Sequence, residues 1–273
     1  MIATLPSTAA SVDAVVNFND PTFNDSVVDD INRANSRTRF VAHRVPITDL
    51  RGHEQALGLE NNAFAVVKNR SACTNFADED EVLACYYPEA AELVMRLTGA
   101  RWVVPYGHLV RSKRPGAPAD ARTPALNAHI DNDFATSRQV AERLAPAEFK
   151  DGVALGRFMV LNVWRPLSSV ERNPLAIVDG STVQRGNLHP VRLLASRAGV
   201  NNPCGYNLSY SAEQRWYYLS NMQPDEVLAF KQIDSKPDAV QWAGHTSFDD
   251  PTSAPDAQER ESIEIRAVAF LPW

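Results

Sequence analysis

The sequence predicts an α+β protein of one domain, in which short strands close into a double-sheet jelly roll. Its 273 residues fit one large domain, and no segment has the composition of a linker that would divide the chain. The clearest helical pattern lies in the first half, whereas short strand-like runs separated by turn sequences dominate after Pro124. An early helix followed by many short strands is typical of α+β folds and favours a jelly roll.

The first hundred residues contain few elements. Residues 1–11 are small and polar, and we expect them to form a flexible tail. Alternating apolar residues predict strands at Val12–Phe18 and Arg39–Ile47. Glu79–Leu97 is predicted to be a helix, because its acidic start suits the positive end of the helix dipole and Gly99 follows as a stop.

The jelly-roll core is expected within residues 100–273. Arg101–Val110 has the pattern of a strand, and Ser112–Pro124, rich in Pro, Gly and Ala, is expected to form a loop or lid. Helices are predicted at Arg138–Leu144 and Pro190–Ala198. The other predicted strands are Leu126–Ile130, Arg157–Val163, Leu175–Val178, Trp216–Leu219, Val227–Ile233 and Ile263–Phe270.

Composition excludes several classes of partner. A net charge of −6 and a pI near 5.5 argue against nucleic acid and anionic membranes. No apolar stretch approaches the roughly 18 residues of a membrane span, and the N-terminus lacks the pattern of a signal peptide. Three cysteines without a C-x-x-C pair argue against structural zinc and fit a reducing compartment. We therefore expect a cytoplasmic protein, although composition alone does not indicate its substrate.

One histidine lies in an H-x-D motif, His129-Ile130-Asp131. On a strand, residues i and i+2 point to the same face, so the imidazole and the carboxylate converge while Ile130 packs on the other side. A second histidine from a distant strand would complete two histidines and one carboxylate, a set that binds iron(II) and leaves three coordination positions open. About 0.4 such motifs are expected by chance in this chain, so an ordinary structural histidine is the alternative interpretation.

The partners of this motif lie far along the chain. His245 is distant enough for the chain to cross most of a jelly roll and return beside the first strand. Downstream, four polar residues share one face of the last predicted strand, if that strand is regular: Arg260, Ser262, Glu264 and Arg266. A solvated face is the simpler interpretation. However, a guanidinium and a hydroxyl can also bind a carboxylate, such as the distal carboxylate of 2-oxoglutarate.

The C-terminal part resembles a branch of the iron(II)/2-oxoglutarate-dependent oxygenases, the branch that includes cephamycin 7α-hydroxylase and fungal AsaB-type hydroxylase/desaturases. The resemblance covers roughly residues 100–273, with weaker similarity before them. The matching stretches are NAHIDND (127–133), RFMVLNVWRPL (157–167), PLAIVDGSTV (174–183), QRWYYLSNMQPDEVLAFKQIDS (214–235), GHTSFDDP (244–251) and RESIEIRAVAF (260–270).

The resemblance implies a double-stranded β-helix with flanking helices, and it implies the cofactors iron(II), 2-oxoglutarate and dioxygen. His129, Asp131 and His245 match the iron positions of the family, and Arg260 and Ser262 match its usual 2-oxoglutarate clamp. Such enzymes oxidise a C–H bond of a small secondary metabolite by hydroxylation, desaturation or oxidative ring formation.

Two further residues are candidates for binding the co-substrate. Fourteen residues separate His245 from Arg260, somewhat more than the common pattern, so Arg266 is the alternative for the clamp. Asn162 and Trp164 share a strand face and would line the pocket or order the co-substrate. The alternative for this run is a core tryptophan, with Arg165 in a structural ion pair.

Other functional classes are compatible with the same residues. A metal hydrolase or cupin-like enzyme could use these ligands with zinc or manganese, and an iron oxygenase could act without 2-oxoglutarate. In a non-catalytic jelly-roll binding protein, His129 and Asp131 would be structural. Metal content and consumption of 2-oxoglutarate separate these classes.

Overall fold

The computed structural model describes residues 9–29, 32–112, 117, 121–147, 156–195 and 205–272. The strands in these ranges are β1 (Ser11–Asn19), β2 (Ser26–Asp29), β3 (Phe40–Asp49), β4 (Phe64–Lys68), β5 (Trp102–Arg111), β6 (His129–Ile130), β7 (Arg157–Pro166), β8 (Leu175–Val178), β9 (Leu188–Ala195), β10 (Gly205–Leu208), β11 (Trp216–Tyr218), β12 (Glu226–Asp234), β13 (His245–Ser247) and β14 (Ser262–Leu271). The helices are α1 (Leu59–Asn62), α2 (Glu79–Glu81), α3 (Tyr87–Thr98) and α4 (Phe134–Leu144).

The strands of the described residues form two sheets. Nine strands pair in the order β1-β3-β11-β8-β13-β6-β10-β9-β2, and five pair in the order β4-β12-β7-β14-β5. Pairing is antiparallel except between β3 and β11 and between β2 and β9. Apolar side chains of the two sheets pack together, including Phe64, Trp164 and Ile177. The fold is therefore a double-stranded β-helix with flanking helices, as the sequence predicts.

The outer face of the five-stranded sheet is covered by α3. Leu93 and Val94 of the helix belong to one buried cluster with Val163, Ile263 and Ile265 of the sheet. A π-helical turn at Val82–Tyr86 joins α2 to α3, so the predicted helix Glu79–Leu97 is confirmed with an irregularity that its periodicity did not indicate.

The inner face of this sheet has an apolar layer at each end and polar side chains between them. At one end, Val160, Val268 and Phe270 pack against Ala141 of α4. At the other end, Trp164 and other apolar side chains pack against the facing sheet. The buried polar residues in the middle include Asn162 and Glu264. The architecture thus encloses a polar layer between two apolar ones.

Most strand predictions are confirmed, and one helix prediction is wrong. Pro190–Ala198 was expected to be helical, but Leu188–Ala195 is a strand, and residues 196–198 lie outside the described ranges. Exposed and partly buried residues alternate along β9, which pairs with β10 and β2, so pairing with neighbouring strands overrides the local helical pattern. Of Leu126–Ile130, only His129–Ile130 is a strand.

The N-terminal part contributes to both sheets. β1 and β3 belong to the nine-stranded sheet, and β4 belongs to the five-stranded one. β1 begins at Ser11, within the segment expected to be a flexible tail, of which residues 1–8 lie outside the described ranges. The expected loop Ser112–Pro124 also lies largely outside them.

A buried ion cluster gives a test of the fold. Asp234 Oδ2 lies 3.1 Å from Lys231 Nζ and 2.8 Å from Arg157 Nη2, and the side chains of Lys231 and Asp234 are fully buried. Replacing Asp234 with Asn leaves a buried ammonium without its counter-charge, so we expect the free energy of unfolding to fall by about 3–5 kcal/mol. Chemical denaturation measures this loss.

The control is the exposed pair Arg138–Glu142, which has an N–O distance of 2.7 Å. Glu142→Gln should change the free energy of unfolding by no more than about 0.5 kcal/mol. Equal effects of the two substitutions would show that the buried cluster does not stabilise the fold.

Candidate metal centre

Strand pairing brings two distant histidines together. His129 of β6 and His245 of β13 are cross-strand partners, and their ring centroids lie 4.3 Å apart. Asp131 directly follows β6, and its Oδ1 lies 3.5 Å from His129 Nε2 and 3.9 Å from His245 Nε2. One ligand atom from each of the three residues lies within 4.8 Å of the others. The structure therefore brings together the three residues that the sequence singles out as metal ligands.

Each imidazole is oriented by a backbone carbonyl. His129 Nδ1 lies 2.8 Å from the carbonyl oxygen of Asn127, and His245 Nδ1 lies 3.4 Å from that of Ala243. Because a carbonyl only accepts hydrogen bonds, Nδ1 carries the proton in each ring and Nε2 presents its lone pair. Burial, reinforced by the charge of His129, lowers the pKa of His245 to about 3. His245 is therefore a neutral imidazole, the form that binds metals.

The carboxylate of Asp131 is held by one of its two oxygens. Asn162 Nδ2 donates a hydrogen bond of 2.8 Å to Oδ2, and Arg266 Nη2 lies 3.4 Å from the same oxygen. Asn162 and Arg266 are cross-strand partners on β7 and β14, which explains why both reach Asp131. Burial disfavours the charged carboxylate, but Arg266 and the two histidines outweigh it and hold the pKa of Asp131 well below its usual value.

A β-bulge supports the backbone at Asp131. The register between β12 and β7 shifts between Lys231 and Ile233, so Gln232 is the extra residue. A bulge re-aims a side chain, and here Gln232 Oε1 accepts a 2.9 Å hydrogen bond from the Asp131 backbone N–H. The bulge therefore fixes the chain where the H-x-D motif leaves its strand.

A cavity adjoins the two histidines. Its lining residues are Arg111, Ala125, His129, Trp164, Leu175, His245, Thr246, Ser247, Arg260 and Glu264. Arg260 is 2% exposed, and its Nη1 donates to the carbonyl oxygen of Asn173 at 2.8 Å and to Ser247 Oγ at 3.3 Å. Its guanidinium carbon lies 5.4 Å from the centre of the Trp164 ring. The cavity therefore places a fixed cation beside the histidines.

Two buried polar atoms beside the cavity lack a partner within the described ranges. They are Arg260 Nε and the Oγ of Ser262, a residue that is 1% exposed. Buried polar groups are almost always hydrogen-bonded, so these atoms indicate a place for a polar ligand. Burial lowers the pKa of Arg260 to about 9, which leaves its guanidinium charged at neutral pH.

The candidate co-substrate residues fall into two groups. Arg260 lines the cavity and Ser262 is the cross-strand partner of Arg111, which also lines it, whereas Asn162 and Arg266 contact Asp131. Arg165 lies away from the site. Instead of the ion pair that was the alternative for it, hydrogen bonds from Arg165 to Tyr86 Oη, Asn69 Oδ1 and the Pro224 carbonyl hold its side chain.

Sequence reasoning missed two residues of the site, Arg111 and Gln232. Gln232 is the extra residue at the register shift between β12 and β7. Arg111 faces the site because of a register shift in the pairing of β5 with β14. Neither shift has a signal in the hydrophobic pattern. Glu264 was placed on the correct strand face, but no role was assigned to it.

The donor set fits iron(II). Two imidazoles that each present Nε2 and one carboxylate oxygen form the set that non-haem iron(II) oxygenases use, and such a set leaves positions open for further ligands. The adjacent cavity offers a buried arginine to an anion. The fold and the site together define the class of non-haem iron(II) oxygenases that use a 2-oxo acid.

Comparison with known proteins identifies the family. A family model described as "Oxidoreductase/YMDC permease-like domain" matches residues 16–270. The Fe(II)/2-oxoglutarate-dependent dioxygenase nvfI of Aspergillus novofumigatus is 33% identical over 239 residues, which cover 85% of this chain and 84% of the relative. The hydroxylase/desaturase efuI of Hormonema carpetanum is 31% identical over 259 residues and 86% of each chain.

A solved structure supports the same assignment. The iron and alpha-ketoglutarate-dependent endoperoxidase NvfI superposes with a TM-score of 0.85 at 26% identity, covering 98% of this chain and 100% of that one. The chain belongs to this family of Fe(II)/2-oxoglutarate-dependent oxygenases. It is a non-haem dioxygenase that uses iron(II), 2-oxoglutarate and dioxygen and acts on a small molecule.

The family membership decides among the functional classes that the sequence left open. The metal hydrolase, the non-catalytic binding protein and the oxygenase without 2-oxoglutarate are not supported, because the relatives are named 2-oxoglutarate-dependent dioxygenases. Within the described part of the chain, no helix has the length and apolar character needed to cross a membrane.

Proposed function

We propose that His129, Asp131 and His245 hold the iron(II) with which this enzyme oxidises a C–H bond of a small secondary metabolite. The observation that supports it best is the convergence of three ligand atoms within 4.8 Å, beside a cavity with a buried arginine. When bound, iron(II) would activate dioxygen, the oxidant, while 2-oxoglutarate would supply two of the electrons that dioxygen takes up and the C–H bond the others.

The protein prepares the ligands before the metal binds. The hydrogen bonds from Nδ1 fix the tautomers of both histidines, so that each presents Nε2. Asn162 and Arg266 occupy Oδ2 of Asp131, which leaves Oδ1 towards the imidazoles. Asp131 therefore offers one oxygen, and the remaining coordination positions stay open for the co-substrates.

Arg260 and Ser262 are proposed to bind the distal carboxylate of 2-oxoglutarate. Both groups are buried, and each has a polar atom without a partner in the described part of the protein. The bonds from Arg260 to Asn173 and Ser247 fix the direction of its guanidinium group. A fixed guanidinium fork binds a carboxylate with little further loss of side-chain freedom.

The oxidative outcome is proposed to be hydroxylation, desaturation or oxidative ring formation. Relatives named hydroxylase/desaturase support the first two. Endoperoxide formation is a second candidate, which the similarity to the endoperoxidase NvfI favours. Mass spectrometry separates hydroxylation, which adds one oxygen atom, from endoperoxide formation, which adds two. Desaturation and ring formation both remove two hydrogens, and NMR of the product distinguishes these two.

We also propose a cytoplasmic location, with neither nucleic acid nor membrane as a partner. The net charge of −6 would repel polyanions and anionic lipid surfaces. Cys73 and Cys85 are free thiols, which is the usual state in a reducing compartment.

The ligand assignment predicts three inactive variants. His129→Ala, Asp131→Ala and His245→Ala should each lower iron(II) affinity by at least about 100-fold, since even changes around the ligands cost about 10–100-fold. Iron content and the formation of succinate from 2-oxoglutarate measure the two losses. His108→Ala is the control, because His108 bonds Tyr87 instead. A variant that kept full iron occupancy and turnover would remove its residue from the ligand set.

The contacts of Asp131 predict a different effect for Arg266. Arg266→Gln removes the charge 3.4 Å from Asp131 Oδ2, so we expect iron(II) affinity to fall by about 10-fold. The affinity of the iron-loaded protein for 2-oxoglutarate should change much less. Exposed Arg138 provides the control substitution Arg138→Gln. Unchanged iron affinity in Arg266→Gln would show that Asn162 alone orients the carboxylate.

The clamp assignment predicts the converse for Arg260. A charge-assisted hydrogen bond contributes roughly 1.5–3 kcal/mol, so Arg260→Gln should raise the KM for 2-oxoglutarate by about 10–100-fold. Iron binding should survive, and Arg260→Lys should recover only part of the loss, because an ammonium group cannot form the fork. Steady-state kinetics checks both. If Arg266→Gln raised this KM and Arg260→Gln did not, the clamp would lie at Arg266.

A further inference from the structure

A second arginine, Arg111, lines the cavity beside Arg260. We propose that Arg111 binds the distal carboxylate of 2-oxoglutarate together with Arg260 and Ser262. This inference rests on the proposed function and deepens it, because it adds a residue from another strand to the co-substrate site.

Strand register places Arg111 next to the clamp. Arg111 ends β5, and its cross-strand partner on β14 is Ser262. Cross-strand partners of an antiparallel pair point to the same face, with Cβ atoms about 4.5–5.5 Å apart. Arg260 lies two residues before Ser262 along the chain, and both arginines line the cavity. Both arginines therefore line the cavity next to the strand position of Ser262, whose Oγ has no partner within the described ranges.

The charged residues that line the cavity favour the binding of an anion. Arg111 and Arg260 line it, and Glu264 is the one carboxylate among the described residues that do so. Asp131 lies close by, but Arg266 offsets its charge. The cavity is thus left with one uncompensated positive charge. Burial and the charge of Arg111 both lower the pKa of Arg260, as expected for two cations that line one cavity of low polarity. A bound carboxylate relieves the repulsion between these cations.

The side chain of Arg111 is held in place at one nitrogen. Its Nη1 donates a 2.6 Å hydrogen bond to the carbonyl oxygen of Thr123, and its backbone forms a bridge with Arg122. A guanidinium group has five N–H donors in a rigid fork, so this bond leaves donors for a ligand. Arg111 therefore combines a fixed position with remaining binding capacity.

Two acids that differ at one end test the proposal. Anaerobic iron(II)-loaded protein is titrated with 2-oxoglutarate and with 2-oxopentanoate, which keeps the keto acid and lacks the distal carboxylate, and the visible charge-transfer band is followed. Arg111→Gln should raise the Kd for 2-oxoglutarate by about 10–100-fold. Its Kd for 2-oxopentanoate should stay the same. Arg111→Lys should recover part of the loss, and Arg101→Gln, at an exposed position beside the start of β5, is the control.

The outcomes separate the inference from the function on which it rests. If Arg111→Gln raised the Kd for both acids equally, the inference would be overturned, because Arg111 would not contact the distal carboxylate. Unchanged affinity for 2-oxoglutarate would overturn it too, and would restrict Arg111 to holding Thr123. Comparing the two acids within one variant excludes a general loss of folding as the cause. If the unmodified protein bound iron(II) but not 2-oxoglutarate, the proposed function itself would fail.

Discussion

The pairing of β6 with β13 is the contact on which the site depends. β6 has two residues and β13 has three, yet the register sets His129 directly opposite His245. Because side chains alternate between the faces of a strand, a slip of one residue would turn one imidazole away from the other. The register is held from both sides, since β10 pairs with β6 and Ile177 of β8 pairs with His245.

The polar layer inside the barrel is stable because its charges are paired and its ends are apolar. Arg266 of β14 lies 3.4 Å from Asp131, which follows β6 of the facing sheet, and 3.7 Å from the buried Glu264 of its own strand, so one cation is shared by two carboxylates. Clusters containing Phe270 at one end and Trp164 at the other restrict water. Electrostatic interactions are stronger between apolar layers than in water. Small displacements of the charged side chains in the polar layer would therefore change the affinity for a charged ligand.

The sequence predicted the chemistry of the site better than its full set of residues. The convergence of His129 and Asp131 and the polar face of β14 both follow from the period of two along a strand, so the sequence alone indicates them. Arg111 was not recognised because β5 contains a bulge. The register shift at Arg266–Ala267 makes Tyr106 the extra residue, so the residues that face inward change from even to odd numbers along β5. A regular strand would have turned Arg111 outward, and only the paired strand reveals the change.

Iron-edge anomalous diffraction from anaerobic crystals grown with iron(II) and 2-oxoglutarate tests the central assignment most directly. We expect one strong anomalous peak per chain, coordinated by Nε2 of His129, Nε2 of His245 and Oδ1 of Asp131, with the distal carboxylate of 2-oxoglutarate at Arg260. A peak that lacks any of these three ligands, or a co-substrate whose distal carboxylate lies away from Arg260, would contradict it.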